Sequence, residues 1–168
     1  MSDRSQAQPY LQFRLSQDWK AMLALRELSE VLAITGEQIV PIPHLPVWVM
    51  GVHNWRGEVL WMLDLPLLLD LPPWQESLGK RGRGLVLRGP HNSRSDRRRS
   101  TVGLAVSEVD ELTYCDPCNI ETAAATSSTY PKLDSFLQGY WQPPTPEPAI
   151  AVLDGTKIFG CLPAADEF

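Results

Sequence analysis

Residues 41–71 read PIPHLPVWVMGVHNWRGEVLWMLDLPLLLDL, a proline-rich approach followed by a charged turn between two apolar runs. Its prolines Pro41, Pro43 and Pro46 fix φ and remove backbone donors, so the chain reaches Trp48 extended rather than helical. Two apolar runs follow, one on each side of the charged turn that holds Asn54, Trp55, Arg56, Gly57 and Glu58. In the second run Val59, Trp61 and Leu63 alternate with Leu60, Met62 and Asp64. That strand is apolar on both faces until Asp64 ends it, which predicts a core strand buried on both sides. The tip of a hairpin needs only residues that accept positive φ, and Asn54 and Gly57 supply them. Trp55, Arg56 and Glu58 have no such explanation. A large aromatic beside strong charges at a tip describes a surface built for contact, with a solvated turn carrying incidental charges as the plain alternative.

Moving outward, YLQFRL from Tyr10 alternates with Leu11, Phe13 and Leu15 on one face, and after the polar break SQDW the run KAMLAL returns as the second arm of a hairpin. Leu25, Leu28, Val31 and Leu32 fit one or two helical turns and a bent strand equally well. PLLLDL reads as a short helical turn stopped by Pro72 and Pro73, GLVLRG as a strand, and TVGLAVSEV as one further strand with Val102, Leu104 and Val106 on one face. The arginine-rich PHNSRSDRRRS between those two strands is their hairpin loop, with no apolar residue to bury. TYCDPCNIETAAATSSTYPKLDS, anchored by Ile120 and Leu133, reads as a surface connector, and FLQGYW and AIAVLD as strands on either side of a proline loop. Many short strands at short intervals indicate small barrels or a sandwich.

A chain of 168 residues that is 43% hydrophobic and 21% charged can bury a core and has the size of one domain or a compact pair of lobes. MSDRSQAQPY has no apolar signal region, and no apolar run approaches the roughly 18 residues of a membrane helix. With three cysteines rather than a dense even set, the expectation is a soluble cytoplasmic protein. The formal net charge of -5 hides an asymmetry, because residues 80–99 hold Lys80, Arg81, Arg83, Arg88, Arg94, Arg97, Arg98 and Arg99. Setting aside these 8 basic residues and Asp96 leaves 7 basic against 19 acidic groups, a net of -12. A claim for nucleic-acid binding therefore rests on this basic loop alone, and without interleaved aromatics its stacking half is missing.

Cys115 and Cys118 form CDPC, the spacing of a thioredoxin-like redox site, but such a site needs its first thiolate at a helix N-terminus beside a parallel sheet. Here a polar turn after an antiparallel hairpin precedes it. A zinc site would have to add Cys161, His44, His53 or His91, and no pair of these has ligand spacing. Neither a Gly-rich phosphate loop, G-x-S-x-G nor a His-Asp-Ser set is present, and Asp110 and Glu111 are adjacent rather than facing. The residues give no support for catalysis, a metal or a cofactor.

From Tyr10 to Leu162 the sequence resembles CheW, the adaptor family that couples receptors to the histidine kinase CheA in bacterial chemotaxis. The resemblance is strongest over residues 41–71, with the proline-bracketed approach, the Gly-Val-x-Asn-x-Arg-Gly turn and the apolar strand ending in Asp-Leu. LSEVL, GLVL, VGLAVSEV, FLQGYW and AIAVLD fall where that family has its other strands. The resemblance implies a mainly β fold of two five-stranded SH3-like β-barrels packed on a shared core, with few short helices and no catalytic centre. It implies a domain over 10–162 with a basic insertion at 88–100, a flexible N-terminus 1–9 and a tail 163–168. Its partners would be the regulatory domain of a CheA-type kinase and the cytoplasmic tip of a methyl-accepting receptor, without nucleic acid or membrane insertion. Leu28, Glu30 and Gly51 match a region of partner contact, and Arg56, in a turn with Asn54, Trp55, Gly57 and Glu58, matches an arginine tied to complex formation. Pairing of Arg56 with Glu30 would fix the turn against the neighbouring strand. The family usually has leucine at Trp55, proline at Trp61 and aspartate at Ser107. The two tryptophans and the arginine loop point to a specialised branch, such as pilus-driven phototaxis in cyanobacteria.

Overall fold

The computed structural model describes residues 6–74, 81–90, 101–122 and 130–162. The first hairpin is present: β1 (Gln8–Arg14) pairs antiparallel with β2 (Lys20–Ala24). β1 thus starts inside the segment expected to be a flexible terminus. The segment read two ways is both: a turn of 3-10 helix, Leu25–Glu27, leads directly into β3 (Leu28–Thr35). β4 (Val49–Trp55) and β5 (Glu58–Asp64) form the hairpin around the charged turn, and the helical turn α1 (Leu65–Leu68) follows. β6 (Arg81–Arg88) and β7 (Thr101–Val106) pair antiparallel, as expected of the strands flanking the basic run, whose residues 91–100 lie outside the described residues.

TVGLAVSEV departs from expectation. It is broken at Ser107 into β7 and β8 (Glu108–Cys115), which belong to different sheets. Ser107 is buried and its hydroxyl donates to the carbonyl of Arg14 at 3.2 Å, so the serine anchors the point where the chain crosses between sheets. The expected connector after Leu112 is also more ordered than its composition suggests. β8 runs on to Cys115, a 3-10 turn spans Pro117–Asn119, and β9 (Ile120–Glu121) adds a short edge. Residues 123–129 of that connector lie outside the described residues. α2 (Pro131–Ser135), β10 (Leu137–Trp141), β11 (Ile150–Leu153) and α3 (Gly155–Gly160) follow among the described residues.

The 11 strands of the described residues form two sheets, one in the order β8-β1-β2-β11-β10-β9 and one in the order β3-β6-β7-β5-β4. The first has six strands only because it includes the two-residue β9. Successive side chains of a strand point to opposite faces, and here both faces are apolar. On β1, Tyr10 enters a small core with Met22, Cys115, Ile150 and Val152, while Leu11 and Phe13 enter the large one. On β6 and β7, Val86 and Ala105 join Ile34, Leu60, Met62 and Trp74 in a second small core, while Leu85, Leu87, Val102 and Leu104 face the large one. Each sheet thus curls around its own core and lays its other face on a core shared with its neighbour, which explains why its strands read as continuous apolar runs. Burial of β5 on both faces begins only at Leu60, because Glu58 and Val59 are exposed. Asp64 ends that strand as a helix cap, accepting from the N–H of Leu67 at 3.1 Å and of Trp74 at 3.3 Å.

Candidate functional site

The β4–β5 hairpin pairs Trp55 with Glu58, leaving Arg56 and Gly57 as a two-residue loop. Their φ values are 53° and 79°, so both occupy the left-handed region that a type I′ hairpin turn requires. The expectation of positive φ holds for Gly57 and is corrected for Asn54, whose place is taken by Arg56. Asn54 is the last residue but one of β4, and its side-chain oxygen accepts from the Gly57 N–H at 3.0 Å. The strained position belongs to Arg56, where a residue with a Cβ costs about 1–2 kcal/mol relative to glycine. An arginine held there against backbone preference is a stronger sign of a side-chain role than an arginine in an ordinary conformation.

The side chain reaches across the sheet. Arg56 Nη2 lies 2.9 Å from Glu30 Oε2, and the Trp55 indole N–H donates to that same oxygen at 2.9 Å. The guanidinium carbon stands 5.4 Å from the centre of the Trp55 ring. Glu30 is on β3 and Trp55 on β4, the two outer strands of the five-stranded sheet, so this cluster joins edges that no backbone ladder joins at this end. Trp55 also packs against the small core that contains Ile34 and Leu60, which places its ring at the mouth of the curled sheet. The ion pair is asymmetric in exposure: 71% of the Arg56 side chain is accessible against 31% of Glu30. Such an exposed pair contributes about 0–1 kcal/mol.

The other residues expected at the site divide by burial. Glu58 is exposed on the far side of the turn. Leu28 is buried in the shared core, so it supports the start of β3 without reaching a surface. Gly51 is buried with φ 137°, and a Cβ there would collide with the carbonyl of Val40, whose backbone pairs with Val52. It shapes β4 where a bulge interrupts pairing with β5. Of the three departures, Trp55 joins the ionic cluster, Trp61 packs half-buried against the shared core, and Ser107 anchors the crossover.

The alternatives fare differently. Burial and the neighbouring Asp116 push the Cys115 thiol up to about 11, the opposite of an activated redox thiolate. Cys118 is exposed, in a 3-10 turn whose N–H bonds Asp116 Oδ1 at 2.9 Å. Among the described residues no three His, Cys, Asp or Glu side chains come together as a metal site, and no helix is long and apolar enough to cross a membrane. Of the eight basic residues between 80 and 99, Arg81, Arg83 and Arg88 belong to β6 and are exposed there rather than lying in a loop.

Two curled β sheets on a shared core, with an ionic cluster at the tip of the β4–β5 hairpin, define the class of domain. The chain belongs to the CheW-like domain family, whose model matches residues 9–160. This is a family of scaffolds and adaptors, not of enzymes. The fold is similar to the crystal structure of the scaffolding protein TtCheW from Thermoanaerobacter tengcongensis, with a TM-score of 0.69 and 20% identity over 88% of this chain and 89% of that one. No curated protein matches the sequence.

Proposed function

We propose that this chain is a cytoplasmic, non-enzymatic adaptor that couples the cytoplasmic tip of a methyl-accepting receptor to the regulatory domain of a CheA-type histidine kinase, in a chemotaxis-like pathway controlling motility. Membership of the CheW-like family supports the coupling role. The observation that carries the assignment of the edge is Arg56, which keeps a left-handed backbone yet exposes most of its side chain. A residue needed only to close the hairpin would be glycine or asparagine. The contact surface in this reading comprises Asn54, Trp55, Arg56, Gly57 and Glu58, with Glu30 fixing the arginine and Leu28 and Gly51 setting the strands beneath. Trp55 and Trp61, with the basic run, support a specialised branch of such pathways, phototaxis among them.

Recovery of the tagged protein from its native cell, followed by mass spectrometry, tests this. The adaptor reading expects a CheA-type kinase and a receptor together, with recovery of at least one of them reduced on Arg56→Ala. Recovery of neither from wild type contradicts it.

A further inference from the structure

We propose that Trp55 is the positioning residue of this edge, and that it aims Arg56 at a carboxylate of the partner. The inference rests on the reading of the turn as an interaction edge and adds the chemistry of the contact. Arg56 touches Glu30 through Nη2, at 2.9 Å, and the side chain is otherwise 71% accessible. A guanidinium carries five N–H donors in a planar fork, so most of that fork faces solvent while one corner is held. Trp55 does the holding in two ways. Its ring lies under the guanidinium at 5.4 Å, and its indole N–H gives Glu30 Oε2 a second donor at 2.9 Å. Glu30 is therefore not dependent on Arg56 alone, and the arginine is held in place without being consumed by its ion pair.

A fixed planar fork matches the two oxygens of an aspartate or glutamate, each taking one of two parallel N–H bonds. A docked partner that excludes water from the turn strengthens the charge-assisted bonds at Arg56. Glu58, exposed at the other end of the two-residue loop, carries the same sign as the proposed partner group and opposes it. That repulsion is the distinguishing mark: a carboxylate partner binds better without Glu58, and a cationic partner binds worse.

Titration calorimetry against the cognate kinase regulatory domain and against the receptor tip tests this on wild type, Trp55→Phe, Trp55→Leu, Arg56→Lys and Glu58→Gln, each first shown to be folded by its dispersed amide spectrum. Trp55→Leu, which removes both ring and N–H, is expected to weaken binding about tenfold, and Trp55→Phe, which keeps the ring, by about threefold. Arg56→Lys keeps the charge without the fork and is expected to weaken binding about tenfold. Glu58→Gln is expected to tighten binding about twofold. In the free protein, the indole N–H signal that disappears in Trp55→Phe is expected to shift in Glu30→Gln. Unchanged affinity for Trp55→Leu overturns the positioning role, as does an indole signal that Glu30→Gln leaves in place. Weaker binding by Glu58→Gln overturns the carboxylate. If wild type binds neither domain, the adaptor reading and the carboxylate fall together, while the indole signal still decides the clasp on Glu30.

Discussion

Glu30 on one outer strand and Arg56 in the turn that leaves the other are 2.9 Å apart, so a side-chain contact closes the mouth of a sheet whose backbone ladder is open there. The contact is mostly exposed on the arginine side. It therefore orients the arginine more than it stabilises the fold, and the consequences can be measured separately.

Arg56→Gly relieves a left-handed backbone worth about 1–2 kcal/mol and loses an exposed ion pair worth about 0–1 kcal/mol. Greater flexibility of glycine in the unfolded chain offsets part of the gain, so urea unfolding is expected to place the variant within about 1 kcal/mol of wild type. A loss beyond about 2 kcal/mol would show that the side chain is a structural strut.

Gly51→Ala is expected to be far worse. The backbone at φ 137° is closed to residues with a Cβ, and the Val40 carbonyl occupies the space. Destabilisation of about 3 kcal/mol or more is expected by thermal or urea unfolding. Gly57→Ala, with open space around it and φ 79°, is expected to lose only about 1–2 kcal/mol.

Much of this was legible in the sequence and some was not. The period-2 pattern of residues 59–64 marks a strand with two apolar faces, and the paired cores on either side of β5 are its physical cause. The break at Ser107 was not legible, because a crossover between sheets leaves apolar alternation intact on both sides of a single buried serine. Glu30 was placed opposite Arg56 through family resemblance alone. The Trp55 bond to Glu30 joins residues 25 positions apart and has no local signal. The left-handed Arg56 escaped because turn preferences assign positive φ to Asn54, which lies two residues before it and is still within β4.

Thiol reactivity separates the cysteines. Cys115 is buried, with its thiol pushed up to about 11, whereas Cys118 is exposed. A chromogenic disulfide reagent at pH 8 is expected to modify Cys118 quickly and Cys115 only on unfolding. Fast reaction at Cys115, lost in Cys115→Ser, would reopen the redox reading.

Glu27 gives the fold a pH dependence of definite sign. Burial, then the nearby Asp154, raises its pKa above 4.5, against smaller lowering by the Gly155 N–H and Arg26. The folded state therefore holds this proton more tightly than the unfolded chain. Ionised Glu27 costs stability above its folded pKa, and that cost disappears as pH falls through the folded pKa towards 4.5. Glu27→Gln keeps an oxygen for the Gly155 N–H and is expected to be more stable than wild type at pH 7, with the difference shrinking towards pH 4.5. A difference that grows on acidification would mean that the carboxylate is favoured in the fold.

On the adaptor reading the Arg56 side chain serves binding rather than folding, and titration calorimetry of wild type and Arg56→Ala against the cognate kinase regulatory domain and the receptor tip separates the two. An affinity lower by at least tenfold, about 1.4 kcal/mol, for one of these partners is expected, with the amide spectrum of the free protein preserved. Equal affinities of wild type and Arg56→Ala for both partners would contradict the claim and move the interaction edge elsewhere on the molecule.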